Sequence, residues 1–174
     1  MSSIIKVDTI QNAAGGTPTA GDLGLNTTGS VLQVKEFTFT TLYTITTSTF
    51  TSVGSGTITP ISSSSKILVY CHNHVYITTR TTAGSWRGAN MRILRNSSSI
   101  YEDTDYGIGA YLNDTQERWM DYHTWQLLDS PSTTSQITYE SQWRPYGSGT
   151  TVDILVNNPA YGAGGKMILT EVAG

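Results

Sequence analysis

Three groups of side chains in this sequence have types and spacings that could do chemistry. The first is Cys71-His72-Asn73-His74. On a strand, His72 and His74 point to one face. Three copies about an axis would then present six imidazoles, a set that suits a transition metal. The plainer alternative is a pair of hydrogen-bonded rings at a surface or a subunit contact. The letters His-Asn-His also spell a nuclease name, but that motif needs dispersed ligands on a ββα-metal framework, which this sequence does not supply. The second group is acidic: Glu102, Asp103, Asp105 and Asp114. Paired carboxylates hydrolyse glycosides when held about 5–9 Å apart, and clustered ones bind calcium. Nothing in this spacing sets either geometry, and a solvated acidic loop accounts for it. The third group is aromatic. Trp86, Tyr101, Tyr106 and Tyr111 fall in loop-like stretches. There the rings could stack on sugars, or pack loops onto the domain and its neighbours.

Other chemistries find no support. Cys71 is the only cysteine, so neither an intrachain disulfide nor a Cys-based zinc site can form. No nucleophile elbow or phosphate loop is present. Gly162-Ala163-Gly164-Gly165 precedes a strand pattern and reads as a flexible turn. No catalytic residue, resident metal or cofactor is assigned, and the chain is expected not to be an enzyme. Net charge is -3 and the pI about 5.5, which gives no basic footprint for nucleic acid or anionic membrane. No run of 18 apolar residues occurs, and Met1 to Ile10 does not read as a signal peptide.

The elements that must hold these groups are strands. The 28 Thr and 19 Ser replace much of the usual charge, since only 13% of residues are Asp, Glu, Lys or Arg. Thr favours strands, while Ser and Gly favour turns. The strongest strand is Lys66 to Thr79, with Ile67, Val69, Cys71 and Val75 on one face and Leu68, Tyr70, His72, His74 and Tyr76 on the other. Further strands are expected over 31–40, 43–51, 57–59, 117–128, 136–144, 151–157 and 166–172. Gly54-Ser55-Gly56 reads as a turn, 80–88 as a polar loop holding Trp86, and 103–114 as irregular. Met91 to Arg95 and Ile100 to Glu102 flank a hairpin at Asn96 to Ser99. Trp119, Trp125 and Trp143 belong to a core or an interface. This spacing predicts an all-β, antiparallel, jelly-roll-like β-sandwich over 31–174. Residues 1–30 differ: one apolar patch (Ile4, Ile5, Val7, Ile10), then a Gly/Thr/Asn/Pro-rich stretch. Such an arm cannot bury enough surface to order itself. A neighbouring subunit or a larger assembly is expected to hold it.

Several segments resemble a family of short structural proteins from phages of marine bacteria, usually labelled tail fibre, tail collar or virion structural protein. They are 3–12 (SIIKVDTIQN), 29–34 (GSVLQV), 65–69 (SKILV), 92–95 (RILR), 128–135 (LDSPSTTS) and 169–174 (LTEVAG). They run through the whole chain in the family's order. The resemblance implies a trimeric protein of the virion surface, attached through residues 1–30 with Ile4, Ile5, Val7 and Ile10 as docking residues. It also implies other virion proteins as partners, and assembly in the cytoplasm of a bacterial host. The outward face of strand 66–79 (Leu68, Tyr70, His72, His74, Tyr76) is the candidate trimer interface. Two roles stay open: a fibre or tip protein binding host glycans, and a capsid decoration protein covering the shell. No heptads or collagen-like repeats mark a shaft. A glycan hydrolase is the remote alternative.

Overall fold

The computed structural model describes residues 9–12, 14–18, 23, 28–79, 85–104, 107–112, 119–147, 152–161 and 164–174. Ile4, Ile5, Val7, Asp105, Tyr106 and Asp114 lie outside the described residues. Of Tyr111 only the backbone is described.

Among the described residues eleven strands follow one another: β1 (Val31–Phe39), β2 (Tyr43–Ile45), β3 (Thr51–Ile58), β4 (Lys66–Thr79), β5 (Ser85–Arg95), β6 (Ser98–Glu102), β7 (Ile108–Leu112), β8 (Trp119–Asp129), β9 (Ile137–Gly147), β10 (Val152–Val156) and β11 (Gly165–Val172). A 3-10 turn, Pro159–Tyr161, lies between the last two. Every strand pairing is antiparallel.

Several of these strands lie end to end. Along one edge of β4, β11 pairs with Lys66–His72 and β10 with Val75–Thr79. Beyond them β1 pairs with β11 and β2 with β10. On β5, β7 pairs with Ser85–Ala89 and β6 with Arg92–Arg95. Taking β1/β2, β6/β7 and β10/β11 each as one interrupted strand leaves eight rows. Numbered along the chain, sheet one runs 1-8-3-6 and sheet two 2-7-4-5. That is the strand order of a jelly roll, and the expected antiparallel sandwich is the one observed.

Alternation of side chains explains the core. Ile67, Val69, Cys71, Val75 and Ile77 of β4 face Met91 and Ile93 of β5 and Ile137, Tyr139 and Trp143 of β9 in one buried cluster. Trp119 and Trp125 pack against it, as expected of these tryptophans. Burial raises the Cys71 thiol to about 11, so it is inert at neutral pH.

Four local expectations are corrected. Gly54-Ser55-Gly56 is inside β3, not a turn. A Cβ at Gly54 would meet the Phe39 ring at 2.4 Å, and one at Gly56 the Phe37 ring at 2.4 Å. The glycines are there to let two rings lie on the backbone. Trp86 sits on β5, not in a loop. The stretch 103–114 contains β7, because β5 runs past the hairpin and offers a free edge beyond it. The strand expected over 43–51 is β2 followed by a bend, with β3 starting at Thr51. The Asn96 hairpin is as read: φ is 47° at Asn96 and 70° at Ser97, the primed turn that suits two twisted strands.

Polar ties lock the two sheets together. Asn73 of β4 is fully buried, and its Oδ1 accepts from Ser141 Oγ and Trp143 Nε1 of β9, both at 3.2 Å. Its Nδ2 donates to Asn157 Oδ1 at 2.9 Å, and Asn157 donates in turn to the Val53 carbonyl. Asn157 adopts φ 59°, which ends β10 and turns its amide inward. Nearer the arm, Arg95 donates to both Asp129 oxygens, at 2.9 and 3.0 Å, and Tyr139 Oη donates to the same carboxylate at 2.6 Å. Buried Glu171 accepts from Gln33 Nε2 and from the Ile61 amide. Burial alone would raise its carboxyl, but the bonds from Gln33 and the Ile61 backbone outweigh it and hold it below the usual range.

Candidate functional site

The strand register arranges the outer face of sheet one in rungs. Nearest the arm, Val34, Thr170, Leu68 and Leu128 stand side by side on β1, β11, β4 and β8. The next rungs are Glu36, Ile168, Tyr70 and Gln126, then Thr38, Lys166, His72 and Thr124. His74 follows beside Tyr122, and Tyr76 stands between Leu155 and Met120. From Leu68 to Tyr76 and from Met120 to Leu128, no outward position of β4 or β8 carries Asp, Glu, Lys or Arg. Of the large apolar groups here, Val34 is 56% exposed, Met120 52%, Tyr122 53% and Leu128 55%. Beside this stretch, Glu36 of β1 and Lys166 of β11 pair at 2.9 Å, and Lys66 stands at the arm end of β4.

The two histidines sit at the centre of this face. His72 stacks on Tyr122 at 5.7 Å, and His74 meets the same ring edge-on at 5.1 Å. His72 Nδ1 is 3.0 Å from Thr124 Oγ1. Burial, with His72 close by, lowers the His74 pKa below its ordinary 6.5. His74 and Tyr76 are buried within the chain itself, while Leu68, Tyr70 and His72 are half-buried. The strand-parity reading thus placed all five on one face. It missed β8, whose exposed Met120, Tyr122 and Leu128 widen that face. Their signal was present: apolar residues at even positions facing away from Trp119, Trp125 and Leu127.

The outer face of sheet two is built differently. Phe50 lies between two guanidinium groups, 4.3 Å from Arg92 and 4.4 Å from Arg144. Glu102 approaches both arginines, at 3.7 and 3.8 Å. Arg92 Nε donates to Gln142 Oε1 at 2.7 Å, and Gln142 Nε2 donates to Glu140 at 2.6 Å. The charges here balance one another within the face.

The acidic group does not assemble. Glu102 belongs to the arginine network just described. Asp103 is spent on structure: its Oδ2 accepts from the Met91 amide at 2.8 Å and its Oδ1 from Tyr101 Oη at 2.6 Å. Among the described residues no three His, Cys, Asp or Glu side chains cluster as metal ligands, so His72 and His74 remain a pair. The aromatic group divides as well. Tyr101 packs on Trp125 at 4.2 Å with its hydroxyl held by Asp103. Trp86, 49% exposed, shares a rung with Tyr111 on the far end of β5. Of the four residues expected to dock, Ile10 is described, and it is 55% exposed. Among the described residues no helix is long and apolar enough to cross a membrane.

No family model and no curated protein matches the sequence. Solved structures give distant likenesses. The structure of infectious bursal disease virus Gx strain matches with TM-score 0.40 and 12% identity, over 80% of this chain and 37% of that one. The VP2 subviral particle of the same virus matches with TM-score 0.38 and 10% identity, over 83% and 38%. Dimeric latent PorU from Porphyromonas gingivalis matches with TM-score 0.31 and 12% identity, over 84% and 14%. This chain therefore spans well under half of each of those chains, and the jelly-roll assignment stands on strand order alone.

Proposed function

We propose that this chain is a non-enzymatic structural protein of a tailed-phage virion surface. It forms a trimer, is held by residues 1–30, and projects the sandwich of residues 31–174. The observation that carries this reading is the outer face of β4 and β8 from Leu68 to Tyr76 and from Met120 to Leu128, free of full charges yet rich in exposed apolar and aromatic groups. Patches of this kind mark association surfaces, which lose charge and gain Tyr, Met and Leu at their centre. The ordered resemblance of segments 3–12, 29–34, 65–69, 92–95, 128–135 and 169–174 to phage structural proteins supports the setting.

Two roles divide the reading. A fibre or tip protein binds host glycans; a decoration protein covers the shell. The division of the aromatic group favours decoration. Tyr101 is committed to Trp125 and Asp103, so Tyr101 and Trp86 do not form one stacking platform.

A map of the intact particle tests both. Density on the capsid, with the arm threaded among subunits, is the outcome expected for decoration. Density at the tail, with residues 80–86 facing outward, would overturn it for the fibre. Deleting residues 2–28 should leave a folded sandwich that no longer joins particles. An unfolded product would mean that the arm belongs to the core.

A further inference from the structure

Among the described residues, the strand edges of this sandwich are blunted with one exception. β1 carries Lys35 and Glu36, shifts register between Val31 and Gln33, and borders a polar groove of about 350 Å³ that Gln33, Lys35 and Phe37 help to line. β2 has three residues, and β6 and β7 have five each. β3 holds Gly54 and Gly56 and shifts register between Ser52 and Gly54. Short strands, charges and bulges are the usual ways to keep an edge from pairing. β8 has none of the three. It runs eleven residues against β4 in unbroken register, holds no Lys, Arg, Pro or Gly, and pairs with β4 alone among the described residues. Its two carboxylates lie on the inner side, where Asp129 is held by Arg95 and Tyr139.

The register also tells which groups the edge offers. The His74 carbonyl accepts from the Asn157 amide, on the β10 side of β4. Backbone groups alternate sides along an antiparallel strand, so the odd residues of β4 bond β8. Odd faces odd across that pair, as Asn73 faces His123. The even residues Met120, Tyr122, Thr124, Gln126 and Leu128 therefore turn their N–H and C=O groups to the open edge.

We propose that β8 pairs antiparallel with β8 of a second copy, about a twofold axis through Thr124. The contact goes beyond the outer-face trimer, since it uses the backbone edge of the sheet rather than its face. Self-complementarity selects this occupant. Thr124 is the midpoint of Trp119–Asp129, so a twofold there aligns the whole strand with no overhang. Met120 then faces the partner's Leu128, Tyr122 the partner's Gln126, and Thr124 the partner's Thr124. All are even, so each such pair exchanges two backbone bonds. Met120, Tyr122 and Leu128, now 52%, 53% and 55% exposed, gain neighbours across the seam. On the inner side Asp121 faces the partner's Leu127, and no like charges meet. A parallel copy in the same register would set Asp121 beside the partner's Asp121, which is unfavourable. The other described edges of the chain, being short, bulged or charged, are poorer partners.

Single-cysteine variants of the full-length chain test the register. Facing residues of a bonded pair have Cα atoms about 5.5 Å apart, within disulfide reach. With oxidised glutathione as the oxidant, Thr124→Cys should give a disulfide-linked dimer. Gln126→Cys should not, because it would lie over about 13 Å along the strand from its own counterpart. Cys71 is buried and stays out of the exchange. No bond at 124, or equal bonding at 126, would overturn the pairing. A second variant tests the edge itself. The Gln126 N–H makes no bond to β4, so Gln126→Pro should keep its thermal melt while its dimer dissociation constant rises at least about tenfold. Dimerisation as tight as that of the parent chain would overturn the proposal. If this variant fails to fold, its N–H is needed within the chain and the assignment of the edge is wrong. The trimer is judged apart, because Gln126→Pro leaves Leu68, Tyr70, His72 and Tyr122 in place: threefold association of that variant stands or falls without the edge.

Discussion

The two outer faces of this sandwich rest on the same kind of antiparallel strand and are dressed in opposite ways. On sheet two, Arg92, Arg144, Glu102 and Glu140 neutralise one another around Phe50 and Gln142. On sheet one, β4 and β8 present Leu68, Tyr70, His72, Tyr122, Met120 and Leu128 with no full charge among them. A face that balances its own charges is finished in water. A face that avoids charge and leaves large apolar groups half exposed is suited to being covered. The lesson is that burial alone does not tell the two faces apart; the distribution of charge does.

The comparison can be broken or sharpened in four steps. The largest effect is expected at the seam that lets two faces exist. Asn73→Ala leaves Ser141, Trp143 Nε1 and Asn157 without their buried partner, and should cost about 3 kcal/mol in urea unfolding. A cost under about 1 kcal/mol would mean that the seam is dispensable.

Next, Tyr122→Glu should weaken self-association at least about tenfold, or 1.4 kcal/mol, by sedimentation. Glu140→Lys on the other face should leave association unchanged. Equal effects would erase the distinction between the faces.

A third step uses protons. Burial holds His74 and His123 below the ordinary 6.5. The unfolded chain therefore takes up protons first as pH falls. Their contribution to stability is complete above about pH 6.5 and declines below it. Thermal melts from pH 7.5 to 5 should fall accordingly, and His74→Gln with His123→Gln should flatten the lower part of that curve. A curve that the double variant leaves unchanged would remove these histidines from the account.

The smallest effect is expected from Phe50→Ala, which takes the ring from two guanidinium groups. It should cost about 1 kcal/mol and leave association untouched.

Much of the architecture was legible in the sequence, because strand parity is a local code. The even residues of β4 could be placed on one face from their spacing alone, and the sandwich class followed from strand count and turn spacing. What escaped depended on contacts far along the chain. Gly54 and Gly56 carry the composition of a turn, and only Phe37 and Phe39, packed from another strand, explain why they lie inside β3. β7 escaped because its residues pair with an edge of β5 that no local pattern reveals. The aromatic group read as one cluster because its members are close in sequence. The register of β5 with β6 and β7 sends Tyr101 inward and keeps Trp86 with Tyr111 at the other end.

The pairing of Phe37 with Gly56 and of Phe39 with Gly54 also limits how this sequence can drift. A methyl group at either glycine would arrive 2.4 Å from a ring carbon. A larger residue can enter at 54 only after the ring at 39 has shrunk, and the same order binds 56 to 37. The intermediate with both groups large has no room, and the intermediate with both small leaves a hole beside the groove. Each pair is therefore a two-step lock, open in one direction only, and substitutions at these positions should be found together or not at all.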